Sequence, residues 1–370
     1  MRIALVTPQW SGTIGGPSNY TAALERELRS LGHTVSVVTT DSGPGAIHIG
    51  GSGPMLAWWL FKELKELRPD IVHLHGRAHF IPSALLYRRL SPASRVIFTF
   101  HTQPYVGAFV PELPNGKRDY NLVSQFIVSL LLRRCDKVTT VSRSIVDNLN
   151  RLYFLGIRNF ETVPSGGYPN QIDSGNVNEF RSRHELEGHF PVLASVGVFS
   201  WDWKVAGHRL CIDAVAQLVQ RYPGLLLLIA GDGQYRSLLE AYTQTSGVQK
   251  NVRFLGNVQN SADVLGAADL YLHMAMNEGC SLALVEAMLA GKAIIASRLG
   301  GNPEVIEDGR TGRLIAPDAP ILALTVLELL QDEEKRDSLS RAAQIHASGS
   351  FTWPNVARRY EAIYSRVLSS

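Results

Sequence analysis

At 370 residues the chain is long for one domain and suits two domains of roughly 150–200 residues. Its 45% hydrophobic and 19% charged content describes an ordinary globular protein, and three widely spaced cysteines (Cys135, Cys211, Cys280) without a CxxC or Cys/His cluster argue against a disulfide framework and a structural zinc. The net charge of +3 is uneven: residues 1–170 hold 18 Lys+Arg against 11 Asp+Glu, and residues 171–370 hold 18 against 22. The basic first half fits an anionic or membrane-associated partner, or a solvated basic surface.

The opening MRIALVTPQW reads as a strand, its apolar run too short for a signal peptide. No stretch of about 18 apolar residues follows, so no membrane span is expected. The chain therefore reads as cytoplasmic, with peripheral membrane contact left open. After MRIALVTP come a helix over PSNYTAALERELRSLG, a strand over HTVSVVTT and a helix over PMLAWWLFKELKELRP. Strands over DIVHLHG and RVIFTFHT, a helix over NLVSQFIVSLLLRRC and the strand KVTTVS continue the series. Such alternation implies βαβ units and a parallel sheet. TVPSGGYPNQIDSGNVNEF breaks it, rich in Pro, Gly, Asn and Ser, and reads as a linker. A second series runs from PVLASVGVF through CIDAVAQLVQRYPG, LLLLIAGDG, QYRSLLEAYTQ, VRFLGNV, DLYLHMAM, the NEGCSLALVEAMLAG helix, KAIIAS and TGRLIAP. Its all-apolar strands suit a sheet covered on both faces. Two doubly wound domains joined near residues 165–190 follow, with a ligand beyond the carboxyl ends of the strands.

Several stretches could carry chemistry. Gly15 and Gly16 in GTIGGPSNY follow the first strand and open the first helix, either as an anion-binding helix N-terminus or as a tight turn. His101 closes the strand RVIFTF, where side chains meet a ligand, and His73 and His75 stand similarly one strand earlier. A lone strand-end histidine is more often structural, and HxH without a third ligand does not suggest a metal. Lys204 lies in the turn SWDWKVAGHRL with His208 and Arg209 near the helix start, placed for phosphate or as a surface lysine. Gly231 and Gly233 in GDG would let backbone approach a ligand, and Gly300-Gly301 precede a short helix with Glu304 in its first turn. In NEGCSLALVEAMLAG, Glu278 lies just outside a helix and Glu286 more than a turn inside it. Free N–H groups at Ser281 and Leu282 would point to the same region as Glu278. Glu286 could accept two hydrogen bonds from a vicinal diol such as ribose, or lie on a solvated rim.

Taken together, these stretches resemble family 4 of the retaining glycosyltransferases, the glycogen synthase- and mannosyltransferase-like group 1 enzymes. GNVQNSADVLGAADLYLHMAMNEGCSLALVEAMLAGKAIIASRLGGNPEVIEDGRTGRLI follows the family pattern, including its E-x7-E signature. LIAGDGQYRSLLE and SGTIGGPSNYTAALERELRSLGHTVSVVT match in order and spacing, and FTWPNVARRYEAIYSRVL resembles the family's final helix. The resemblance implies an α/β GT-B fold, two Rossmann-like doubly wound parallel-sheet domains facing a deep cleft. They would comprise residues 1–170 with the helix 353–370 packing back on them, and residues 185–350 as the donor domain.

It further implies metal-independent transfer of a hexose from a UDP- or GDP-linked sugar, with retention, to an acceptor hydroxyl, and no cofactor. Lys204, the backbone at Gly15 and Gly16, and the helix start at Ser281 and Leu282 would hold the diphosphate. Glu278 would bind sugar hydroxyls, Glu286 the ribose, and His101 the transferred sugar. Gly231, Gly233, Gly279 and Cys280 would complete the donor site, with His101, Lys204 and Glu278 the catalytic set. The family's usual arginine is absent, since Gly197 is followed by Val198, and His208, Arg209 or Arg298 are candidate compensating cations. Lys204 is followed by Val-Ala rather than Lys-Gly, Met274-Ala275-Met276-Asn277 replaces a Pro-Ser approach, and Cys280-Ser281 stands where Phe-Gly is common.

Other readings are a nucleotide-sugar epimerase on the same fold, or a nucleotide-sugar-binding protein with weakened catalysis. Dispersed basic residues without an aromatic stripe do not suggest a nucleic acid. The acceptor would lie on the first domain, lipid-linked or a glycan, near Trp58-Trp59 and the loop QPYVGAFVPELPNGKRDY. The plainer expectation is that the Trp pair packs in the core.

Overall fold

The computed structural model describes residues 1–10, 16–104, 122–169 and 172–370. Among them two compact α/β units form, one taking the described residues up to Gly166 with Trp353–Ser370, the other Gly167–Thr352.

In the first unit β1 (Arg2–Thr7), β2 (Thr34–Thr39), β3 (Ile47–His48), β4 (Ile71–His75), β5 (Arg95–Phe100), β6 (Lys137–Thr140) and β7 (Phe160–Thr162) form a sheet ordered β3-β2-β1-β4-β5-β6-β7. All its pairings are parallel. Its central strands are buried on both faces, which is why they carry near-continuous apolar runs such as Ile3–Val6 and Val96–Phe98. The connecting helices are α1 (Gly16–Ser30), α2 (Gly53–Leu67), α3 (Ile81–Leu90), α4 (Leu122–Leu132) and α5 (Arg143–Tyr153). The step from β1 to β2 runs opposite to those from β3 to β4, β5 and β6. Right-handed crossovers therefore put α1 on one face and α2, α3 and α4 on the other.

The second unit repeats the plan with β8 (Val192–Val196), β9 (Leu226–Ala230), β10 (Val252–Gly256), β11 (Leu270–His273), β12 (Ala293–Ser297) and β13 (Arg313–Ile315), ordered β10-β9-β8-β11-β12-β13. These strands too pair in parallel. Its helices are α6 (Ser174–Arg183), α7 (Asp202–Leu218), α8 (Arg236–Thr245), α9 (Ser261–Ala267), α10 (Leu282–Leu289), α11 (Asn302–Val305), α12 (Ala319–Gln331) and α13 (Glu333–Ser350). Its core joins Leu193, Leu227, Ile229, Leu272 and Ile295 of the sheet to Val205, Ile212 and Val215 of α7 and Leu322 and Val326 of α12. The last helix, α14 (Trp353–Ser369), belongs to the first unit and lies on α1, where the Tyr20 hydroxyl donates to that of Tyr360 at 3.0 Å.

Two expectations fail locally. The segment read as linker contains α6, whose N-cap Asp173 accepts from the Asn176 amide at 2.9 Å. Two apolar residues, Val177 and Phe180, suffice to bury its inner face, too few to give a periodic signal in the sequence. The Trp58-Trp59 pair is not in the core. α2 buries Leu56, Leu60, Phe61 and Leu64, and that register turns Trp58 (62% exposed) and Trp59 (40%) to solvent.

Candidate active site

The second unit gathers most of the expected residues at the carboxyl ends of its strands. The turn after β8 is stitched to the turn after β9: the Gly197 amide donates to the Ala230 carbonyl (3.0 Å), and Phe199 to Asp232 (2.9 Å). The fit leaves no room at Gly231, which adopts φ +135° and whose added Cβ would lie 1.9 Å from the Gly197 carbonyl oxygen. The amides of Gly231 and Gly233 are both engaged, with the Gly256 carbonyl (2.8 Å) and the Asp232 carboxylate (2.8 Å). These glycines therefore shape the turn and do not present free donors.

This stitched turn delivers Lys204 to the first turn of α7. Its ammonium donates to Glu278 in the turn between β11 and α10, and the side chains are 16% and 17% exposed. The expected phosphate cation and the expected sugar-binding carboxylate thus neutralise each other in a mostly enclosed pair. Glu278 is clamped from behind, its carbonyl accepting from the Gly301 amide at 3.0 Å. Gly300 packs so closely there, at φ +55°, that its added Cβ would meet the Glu278 oxygen at 2.2 Å.

After Gly279 and the buried Cys280, Ser281 caps α10, its hydroxyl accepting from the Leu284 amide at 3.4 Å. The Ser281, Leu282 and Ala283 amides find no acceptor among the described residues, so the positive end of the helix stays available beside Glu278. One turn further in, Glu286 accepts from the Ser261 hydroxyl of α9 at 2.7 Å. Burial pushes its carboxyl above the ordinary range, and the Ser261 bond pulls the other way. Ser261 was not among the expected residues. It sits 25 positions away on another helix, and nothing in the sequence signals the pairing.

Of the three candidate compensating cations, His208 carries no charge and the two arginines have partners of their own. His208 is buried behind Lys204, close enough to Gly197 that an added Cβ there would lie 3.2 Å from its Nε2. Burial, with help from Lys204 and His273, pushes its pKa down to about 3, so it is neutral at physiological pH. Arg209 lies over the Tyr242 ring of α8 at 4.6 Å, and Arg298 donates to Asp308 and to the Leu314 carbonyl (2.8 Å). Among the described residues no group of three His, Cys, Asp or Glu side chains is placed to hold a metal.

In the first unit, His101 follows β5 and its Nε2 meets His75 Nδ1 at 2.8 Å, with the Tyr20 ring edge-on at 4.5 Å. Burial pushes the His101 pKa down to about 3, so it offers hydrogen bonds and no charge. His73 is structural, its nitrogens meeting the Tyr364 hydroxyl (2.8 Å) and the Thr99 hydroxyl (2.6 Å). Gly16 begins α1, and Gly15 lies outside the described residues.

The chain matches the family description "Glycosyltransferase Family 4" over residues 14–166 and "Glycosyl transferases group 1" over residues 176–346. It is 27% identical to a phosphatidyl-myo-inositol mannosyltransferase of Mycobacterium tuberculosis, over 100% of this chain and 98% of that protein. It is 26% identical to an N-acetyl-alpha-D-glucosaminyl L-malate synthase of Bacillus anthracis, over 81% of this chain and 75% of that protein. Among solved structures, Anabaena Alr3699/HepE in complex with UDP superposes with a TM-score of 0.82 at 19% identity, covering 99% of this chain and 100% of that one. The fold is thus GT-B.

Proposed function

The chain belongs to the group 1, family 4 glycosyltransferases, enzymes that move a sugar from a nucleotide sugar, and from that premise we propose a metal-independent, retaining hexosyltransferase using a UDP- or GDP-linked donor. The observation that carries this reading is the Lys204–Glu278 pair set beside the open N-terminus of α10. A diphosphate brings negative charge, and here an ammonium and a helix end can meet it without a metal. When the diphosphate engages Lys204, Glu278 is released to accept hydroxyls of the donor sugar. Glu286, held by Ser261, accepts the two ribose hydroxyls, which restore to the buried carboxylate the hydrogen bonds that water would give. His101, neutral and held by His75, contacts the transferred sugar. Attack comes from the face the diphosphate leaves, with the departing phosphate taking the acceptor proton, so no protein nucleophile is assigned.

The UDP complex of the structural neighbour favours a uridine donor, and the phosphatidylinositol named for the mycobacterial relative favours a lipid-linked acceptor over a free glycan. Calorimetric titration with UDP and GDP in excess EDTA tests the reading. One of the two should bind, and Glu286→Ala should weaken it by about tenfold or more. Binding that disappears on chelation would remove the metal-independent mechanism. NMR of the glycosylated product would show the donor's anomeric configuration kept.

A further inference from the structure

The first unit carries a surface that glycosyl transfer from a soluble donor does not use. α4, LVSQFIVSLLL, is mostly apolar and carries no charged residue, and it turns Val123 (69% exposed), Phe126 (66%), Ile127 (49%) and Leu130 (40%) to solvent. These positions follow the i, i+3, i+4, i+7 spacing, so they form one stripe along the helix. The buried side of α4 is a separate set, including Gln125, Val128, Ser129 and Leu132. α4 shares its face of the sheet with α3 and α2. α3 exposes Leu86 and Leu90, and α2 exposes Met55 and Trp58. Ser83 of α3 donates to the Ala57 carbonyl of α2 at 2.9 Å, which locks those two helices side by side. One scattered leucine would mean nothing, but three neighbouring helices exposing large apolar side chains on one face mark a docking surface.

The charge around the patch identifies what docks. The exposed ionisable residues of these helices and of the turn after α4 are Lys62, Lys65, Arg89, Arg133 and Arg134, with Glu66 the opposing acid. Glu66 is itself paired with Lys62 at 3.8 Å. A second copy would set this basic rim against another basic rim, because a two-fold interface apposes like patches. An anionic bilayer answers both halves of the surface, apolar stripe and cationic rim. At 11 residues α4 is far shorter than the roughly 20 needed to cross a bilayer, so it would lie in the interface plane. Trp58 is of the residue type that settles at headgroup level, and Lys and Arg side chains can reach from the apolar stripe to the phosphates.

We infer that the α2–α3–α4 face of the first unit docks on anionic membrane surface, with the α4 stripe inserted among the lipids. This stands apart from the donor-site reading, since it is measured without nucleotide. The full-length protein is sedimented with phosphatidylcholine vesicles with and without phosphatidylglycerol. Binding should be at least about tenfold stronger to the anionic vesicles and should weaken with salt. Phe126→Asp with Ile127→Asp should abolish it, and Arg133→Glu with Arg134→Glu should weaken it about tenfold. Anionic vesicles should shift the tryptophan emission to the blue, and Trp58→Phe should remove most of that shift.

The substituted side chains are exposed, so the variants should keep the wild-type unfolding temperature. If the aspartate pair does not, the arginine pair and Trp58→Phe decide. Failure of the wild type to sediment with anionic vesicles at low salt would overturn the inference, as would undiminished binding by these variants. A lipid-independent dimer dispersed by Phe126→Asp would assign the face to a second copy instead.

Discussion

Glu286 is a carboxylate that the ligand-free fold tolerates at a cost. It is mostly removed from water and accepts a hydrogen bond from the Ser261 hydroxyl, and burial raises its carboxyl above the ordinary range. Between the ordinary and the raised value the folded chain holds a proton that the unfolded chain has lost. Stability from this group therefore falls as pH rises across that window. Glu286→Gln keeps the shape and a carbonyl for Ser261 while removing the charge. In scanning calorimetry at neutral pH the ligand-free variant should melt roughly 2–4 °C higher, and its stability should lose the wild type's fall with pH. The same variant should bind nucleotide about tenfold more weakly, because an amide accepts less strongly from a diol than a carboxylate does. A variant neither more stable nor weaker in binding would place Glu286 in a solvated rim.

At this scale the sequence was legible where chemistry follows from type and spacing. Glu278, Glu286 and Ser281 could be put forward as candidates because two acids flank the start of an apolar helix, and their proposed roles came from the family resemblance. The Lys204–Glu278 pairing could not, since 74 residues separate the partners and only the folded sheet brings their strand ends together. His208 misled for the same reason. A histidine beside Lys204 reads as a cation until its burial behind Gly197 is known.

Among the elements, the turn from β8 into α7 carries the proposed donor cation Lys204. It is rigid, pinned by the Gly197 and Phe199 amides and by the Tyr235 amide donating to the Phe199 carbonyl at 3.0 Å. A side chain added to it would be presented without further ordering of the loop, which is what makes preorganised contacts effective. Val198 is half-buried in that turn, at the position where the family resemblance implies an arginine. Val198→Arg should therefore tighten UDP binding by about tenfold, the worth of one charged hydrogen bond, and steepen its dependence on salt. Titration calorimetry at two salt concentrations reads both. An unchanged affinity would mean that Lys204 and the α10 amides already satisfy the diphosphate.

Elements with strong periodicity or unbroken apolar runs, such as β9 and α10, were readable from sequence. α6 was not, because two buried residues leave no period to detect. The Trp58-Trp59 error came from residue type overriding register. Leu56, Leu60 and Leu64 already define the buried side of α2, and positions 58 and 59 lie opposite it.

For the whole molecule, the consequence of two units with separate cores is that ligands can be assigned by which core they stabilise. The first unit closes its own core with α14, through Tyr20, Tyr360 and Tyr364, and the second is held by the cluster around β9 and α7. Independent cores unfold as independent cooperative steps unless their coupling is strong. A slow calorimetric scan of the full chain should therefore resolve two transitions. Every proposed nucleotide contact apart from those at Gly15 and Gly16 lies in Gly167–Thr352, so UDP should raise the transition of that unit first. At one hundred times its dissociation constant a ligand stabilises by about 2.7 kcal/mol. For a unit of this size that corresponds to a shift of roughly 5–10 °C. Excess EDTA should leave the shift intact, because the groups proposed to meet the diphosphate are the Lys204 ammonium and the neutral α10 amides, none of which needs a metal. A nucleotide that raised only the first unit's transition would put the donor on the wrong half of the chain, and the roles of Lys204, Glu278 and Glu286 would fall together.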